Sequence, residues 1–133
     1  MELVVIVIML ALLEYIVLVM RVGFARVRTG LEAPAVTGNE EFERHFRVHY
    51  NTIEQLILFI PGVWFFAEYI HELSAVGLGL VFIFGRALYA VKYVKDPGSR
   101  SVGMTLTVLP CYVLVIGALG GAIWAAIVAG DLV

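Results

Sequence analysis

The sequence predicts an all-α membrane protein built as a bundle of four transmembrane helices. Its composition, the turn signals between its apolar stretches and the one-sided placement of its basic residues carry that prediction. Of 133 residues, 62% are hydrophobic and 15% charged, and the mean hydropathy is +0.97, whereas soluble domains are about half apolar and about a quarter charged. Folded in water, such a chain would lack the polar residues to cover its apolar surface. The same balance excludes a disordered chain, the lone Cys111 excludes a disulfide framework, and a net charge of −2 excludes a nucleic-acid binder that works through bulk positive charge. Cys111 sits in an uncharged run and reads as a small core residue rather than a reactive thiol.

The first span is expected over about residues 3–27. From Leu3 to Met20 only Glu14 interrupts the apolar run, which is long enough to cross most of a hydrocarbon core. It does not read as a signal peptide, because no basic residue leads it and its apolar part is too long. Glu14 either pairs with a neighbouring helix or serves a site. Thr29-Gly30 and the segment Ala33-Pro34 to Gly38-Asn39 form the first loop.

The second and third spans, about 41–68 and 73–95, each combine a short apolar core with a polar face. Leu56 to Ala67 continues back through Glu54, Asn51 and Arg47, and Leu73 to Gly85 continues forward through Arg86, Tyr89 and Tyr93. Such faces must look into a bundle or a wet cavity. Pro61-Gly62 should kink the second helix. Glu68 to Glu72 forms a tight turn and Asp96-Pro97-Gly98-Ser99 another. The fourth span, about 100–130, carries no charge from Val102 to Gly130. Glycines in Val76-Gly77-Leu78-Gly79 and at Gly117, Gly120 and Gly121 read as helix-packing contacts.

All 9 Lys and Arg residues lie near the first or third loop. In a four-span hairpin bundle those loops share a side, so the positive-inside rule puts them in the cytoplasm and both termini across the membrane. Topology alone suffices for Arg28, Lys92 and Lys95.

On the second helix Arg44, Arg47, Asn51 and Glu54 are spaced three, four and three, so they fall within roughly 80° of arc. Arg86, Tyr89 and Tyr93 make a second stripe on the third helix. Guanidiniums, an amide and a carboxylate facing two phenols suit a small zwitterion with several carboxylates: Arg forks grip the carboxylates and Glu54 an ammonium. The alternative is that Arg47 or Arg86 merely pairs with Glu54 and that the tyrosines belong to an interfacial belt. His45, His49 and His71 belong to no set with metal-ligand spacing, so no metal is expected. No phosphate-cradling glycine loop, serine elbow or paired-carboxylate site is apparent.

The string Phe42-Glu43-Arg44-His45-Phe46-Arg47-Val48-His49-Tyr50-Asn51-Thr52-Ile53-Glu54, preceded by Ala33-Pro34 and Thr37-Gly38, resembles the membrane-associated proteins in eicosanoid and glutathione metabolism, the MAPEG family. The family pattern of Arg-x-x-x-Asn-x-x-Glu, then Tyr-x-x-x-Tyr, then an arginine opening the fourth span is met by Arg47, Asn51 and Glu54, by Tyr89 and Tyr93, and by Arg100. The resemblance covers all four spans and implies a homotrimer with glutathione bound between subunits near the cytoplasmic face. It implies that Arg47, Asn51, Glu54, Tyr89, Tyr93 and Arg100 come from one subunit and Arg26 and His49 from the next; with no use for those two inside one subunit, the subunits are expected to join along the first two spans. His49 lies roughly 160° around the helix from Asn51 and cannot face the same pocket.

Two positions depart from the eicosanoid-making members. Gln55 stands where they place a tyrosine and Val27 where they place a second arginine. That points away from leukotriene synthesis and towards a general, detoxifying glutathione transferase, with glutathione peroxidase activity left open; the short loops suit a bacterial inner-membrane member. The expected reaction joins the glutathione thiol to hydrophobic electrophiles or lipids from the bilayer, with no metal and no nucleic acid. A free thiol has a pKa near 8.5, and lowering it by about 2 takes roughly 2.7 kcal/mol, which Arg100 and the N-terminus of span four are placed to supply. The rivals are a non-catalytic lipid-binding relative and a small proton-coupled transporter using Glu14 or Glu54.

Overall fold

A computed structural model describes residues 1–130; the last three residues of the expected single domain, 1–133, lie outside them. Four long helices account for nearly all of it: α1 (Glu2–Thr29), α2 (Glu40–Tyr69), α3 (Glu72–Lys95) and α4 (Ser101–Ala129). Three of them, α1, α3 and α4, are long and apolar enough to cross a membrane. The polar residues of its N-terminal half keep α2 from meeting that measure. The protein is an all-α integral membrane protein with a four-helix bundle fold.

Each break has a local cause. Gly30 ends α1 in the left-handed region (φ 70°), a conformation open to glycine at little steric cost. Arg26 Nη1 then donates to the carbonyls of Leu31 (3.3 Å) and Ala35 (2.8 Å), tying the first loop back to α1. Asn39 caps α2 by accepting from Phe42 N at 3.1 Å, while Glu43 reaches back to Gly38 N at 2.8 Å. The first bond satisfies a backbone donor that the helix leaves open, and the second ties the end of the loop to the first turn of α2. The His71 side chain caps α3 by accepting from Ser74 N. Asp96 accepts from Gly98 N at 3.0 Å, opening a short 3₁₀ turn over Pro97–Ser99 that swings the chain into α4.

The core lies between all four helices. Val4, Val7, Ile8 and Ala11 of α1 meet Leu56, Phe59, Val63 and Phe66 of α2, Ala75 and Phe82 of α3, and Cys111, Leu114 and Ala118 of α4. Phe59 and Phe82 stack with ring centroids 4.0 Å apart. Nearer the first and third loops a second cluster joins Leu18, Val48, Tyr89 and Ala90, with Tyr93 and Val94 against it. Met1 N lies 2.6 Å from Glu72 Oε1, so the start of α1 and the α2–α3 turn share the opposite end of the bundle.

Helix α2 continues through Pro61-Gly62, the expected site of a kink, and Gly62 lies against Leu114 and Val115 of α4. One expectation about glycine packing needs correction. Of the glycines read as packing contacts, Gly79, Gly117 and Gly121 meet neighbouring side chains, but Gly77 and Gly120 have nothing within 4 Å of a built Cβ. The closest backbone approach is at Gly103 of α4. A Cβ there would stand 2.5 Å from Tyr89 N and 2.7 Å from Tyr89 Cα, so only glycine lets α4 lie against α3 at that tyrosine.

Candidate functional site

The stripe expected on α2 divides in the structure. Arg44 turns to the end of α3, donating from Nη1 to the carbonyls of Val94 (3.2 Å) and Lys95 (3.4 Å). There it meets carbonyls the helix cannot pair itself, a structural role. Arg47 is exposed and opens into a cavity of about 400 Å³ lined by Val36, Thr37, Glu43, Phe46 and Tyr50. Asn51 and Glu54 instead line a pocket of about 160 Å³ with Gln55, Arg86, Tyr89, Met104 and Val108. That pocket takes walls from α2, α3 and α4.

The tyrosines of α3 are built into the same region. Asn51 Nδ2 donates to the Tyr89 hydroxyl at 2.8 Å, which orients a phenol whose ring is buried. Tyr89 and Tyr93, one helical turn apart, stack with centroids 5.3 Å apart. The Arg86 guanidinium lies 4.2 Å from the Tyr89 ring centroid and the Arg100 guanidinium 5.9 Å from that of Tyr93. Asn51, Tyr89, Tyr93 and Arg100 thus form a continuous ladder from α2 to the opening of α4. Arg100 is exposed, donates to Pro97 O at 3.2 Å, and occupies the N-cap position of α4 with no side-chain cap beside it.

Arg26 and His49 do not join this group. His49 packs towards α1, with its ring 6.4 Å from that of Tyr15 and 4.8 Å from that of Phe46, and its Nδ1 meets Phe46 O at 2.5 Å. Arg26 lies over the Phe42 ring at 4.4 Å and holds the first loop. The expectation that Arg26 has no use within one chain is therefore corrected: with its head beside loop carbonyls, it pins the α1–α2 connection. Arg28 is also paired, donating to the carboxylate of Glu41. Among the described residues, neither Arg47 nor Arg86 forms an ion pair with Glu54, against the purely structural reading of that stripe.

Gln55, Met104 and Val108 are pocket residues that spacing did not bring into the site, and Arg86 joins them from the expected α3 stripe. Arg86 had a signal, since it stands one turn before Tyr89 on the same face. Gln55 had only its neighbour Glu54, and the two α4 residues had none. On the other side of the opening of α4, an apolar groove of about 450 Å³ runs along Ser101, Met104, Thr105, Val108, Leu109 and Tyr112. Met104 and Val108 line both the polar pocket and this groove, so the two are contiguous.

The fold and these features define an integral membrane protein whose polar groups gather near one end of a helical bundle. The chain belongs to the MAPEG family, whose family model matches residues 4–120. An uncharacterised protein of Synechocystis sp. is 49% identical over 115 residues, covering 86% of this chain and 84% of its own. Microsomal glutathione S-transferase 2 of Homo sapiens is 38% identical over 102 residues, covering 76% and 69% respectively. Leukotriene C4 synthase of Bos taurus is 32% identical over 97 residues, covering 72% and 65%. The similarity to a cyanobacterial protein agrees with a bacterial member of the family.

Proposed function

We propose that this protein is a membrane-embedded glutathione S-transferase that joins the thiol of glutathione to hydrophobic electrophiles dissolved in the bilayer. The observation that carries the proposal is the ladder Asn51–Tyr89–Tyr93–Arg100 leading from a polar pocket to an apolar groove on α4. The relatives named as a glutathione S-transferase and a leukotriene synthase support it. Glutathione is a zwitterion with two carboxylates, an ammonium and a thiol. Glu54 suits the ammonium, and Arg47 with the Asn51 amide suits carboxylate or peptide groups.

The chemistry asked of the protein is modest. The thiol loses its proton to solvent, and its sulfur keeps the electron pair that then forms the carbon–sulfur bond. With an aryl halide the halide leaves with the pair of the broken carbon–halogen bond. A fixed positive charge at Arg100, beside the unpaired N–H groups opening α4, favours the thiolate over the thiol. The Tyr93 hydroxyl is the second group able to donate to it. The groove from Ser101 to Tyr112 would admit the electrophile from the lipid side.

The working assembly in this proposal is a homotrimer of the single MAPEG domain. Arg47, Asn51, Glu54, Tyr89, Tyr93 and Arg100 come from one subunit, and Arg26 and His49 from its neighbour. His49 points away from its own chain's pocket, and Arg26 commits only Nη1 to the loop among the described residues, which leaves donors for a neighbour's ligand. The site end faces the cytoplasm of a bacterial inner membrane and both termini face the other side, because the basic residues gather around the first and third loops. A C-terminal phosphatase fusion that is inactive in bacteria would reverse that orientation.

The test of the activity is direct. Purified protein in detergent or vesicles should bind glutathione and conjugate it to an aryl halide. Protein that binds glutathione without turnover would be a non-catalytic relative, and protein that binds none would remove the proposal altogether.

A further inference from the structure

Among the described residues, Glu14 of α1 and Arg86 of α3 are ionisable groups set into the bundle that each bury polar side-chain atoms without a hydrogen-bond partner. Arg86 is 2% exposed. Its Nε and Nη2, together with Glu14 Oε1 and Gln55 Oε1, are buried and make no hydrogen bond among the described residues. Val7 of α1 packs on Gly79 of α3 and Leu18 joins the Tyr89–Ala90 cluster, so the two helices run side by side and Glu14, two turns past Val7, lies level with Arg86, two turns past Gly79, with no ion pair closed between them among the described residues. Arg86 also lines the polar pocket and underlies the Tyr89 ring at 4.2 Å. One guanidinium therefore has the carboxylate towards α1 and the pocket beside it.

We propose that Glu14 is the internal counter-charge of the site: it touches no ligand, but by offsetting Arg86 it sets how much positive field a thiol bound in the pocket feels. This rests on the glutathione reading above. A guanidinium stays charged at any pH a protein meets, so burial cannot neutralise Arg86. An opposite charge nearby must compensate it, and Glu14 on α1 is the acid placed to do so. The other groups facing Arg86 are Tyr89 on its own helix, Cys111 from α4 and, across the pocket, Glu54 from α2. Of these only Glu54 is an acid, and it is exposed on the pocket side where the ligand's ammonium would claim it. Glu14 is thus a positioning residue acting through Arg86.

The sign of the effect separates this role from others. Removing the Glu14 charge unmasks Arg86 and stabilises a thiolate. In Glu14→Gln, bound glutathione should ionise at a pH lower by about 1, giving about tenfold more thiolate at a fixed pH below the midpoint. Glu14→Asp should restore the wild-type titration. The readout is the ultraviolet thiolate absorbance against pH with glutathione bound, after binding has been measured by equilibrium dialysis. An unmoved titration would reduce Glu14 to packing, and an upward move would make it a proton acceptor; either overturns the proposal. If Glu14→Gln does not fold, Glu14→Met, which removes the same charge from an apolar helix, is titrated in its place, and loss of the carboxylate must again lower the midpoint. Wild-type protein that binds no glutathione refutes the underlying reading, whereas binding with an unmoved titration refutes only the role of Glu14.

Discussion

Asn51 and Tyr89 are joined by a 2.8 Å hydrogen bond from amide to phenol that crosses from α2 to α3. The bond fixes the amide's orientation as well as the phenol's, since the Asn51 carbonyl oxygen must then point away from Tyr89 and is available to a ligand N–H. Tyr89→Phe deletes the acceptor and leaves the ring. The expected cost is about 1 kcal/mol in stability, because the amide is left without its protein partner in a half-buried place. Glutathione affinity should fall together with it. Thermal unfolding and equilibrium dialysis check the two effects, and unchanged affinity would mean that the amide is not positioned for the ligand.

Gly103→Ala tests whether the approach of α4 to Tyr89 matters. Overpacking of this kind costs typically about 1–3 kcal/mol, and here it pushes directly on the tyrosine backbone. Gly120→Ala serves as the control, since nothing lies within 4 Å of a Cβ at that position. Activity should fall in the first variant and hold in the second. Equal behaviour of the two would show that the α3–α4 spacing is not tied to the site.

Arg100→Ala should raise the pH at which bound glutathione ionises and lower turnover, with affinity falling much less. Arg100→Lys keeps the charge but loses the planar fork and should be intermediate. The expected direction is opposite to that of Glu14→Gln, because one variant removes a positive charge and the other a negative one. A titration unchanged in Arg100→Ala would move the activating role to Tyr93.

Crosslinking in detergent, or native mass spectrometry, should show trimers. Glu54→Gln should weaken glutathione binding without dissolving them, since it changes charge but little else. Monomers or dimers alone would defeat the shared-site arrangement, and intact affinity in Glu54→Gln would release Glu54 from the ammonium role.

The fold class was legible because composition and turn chemistry act over long stretches of chain. Gly30, Asn39 and Asp96 each mark a break with a residue whose conformation or side chain suits the turn it makes. The grouping of Asn51, Glu54 and Tyr89 was legible for a related reason: helical periodicity places residues on a face, and a polar face in a membrane bundle must turn inward. Periodicity fails at the next level. It put Arg44 and Arg47 in the same arc as Asn51, yet long flexible stems carried one head to the α3 carbonyls and the other to the first-loop cavity. It was also blind to Met104 and Val108, whose presence in the pocket follows from the approach that Gly103 permits, a contact between helices that are separate in sequence.

The shortfall of α2 as a membrane span has a consequence for how the protein is made. A charged side chain at the centre of a membrane helix costs roughly 2.5–3.5 kcal/mol on insertion scales, and α2 places Glu54 near its middle, with Asn51, Arg47 and Arg44 between it and the loop end. Entering the bilayer alone, it would have to pay for most of its polar stripe at once. Beside α1 and α3 it gains the Tyr89 hydroxyl and the α3 carbonyls as partners during insertion. Asn51 and Glu54, proposed to hold a water-soluble peptide, thus also help to make α2 the least apolar of the four helices and the one that gains most from entering the bilayer beside its neighbours.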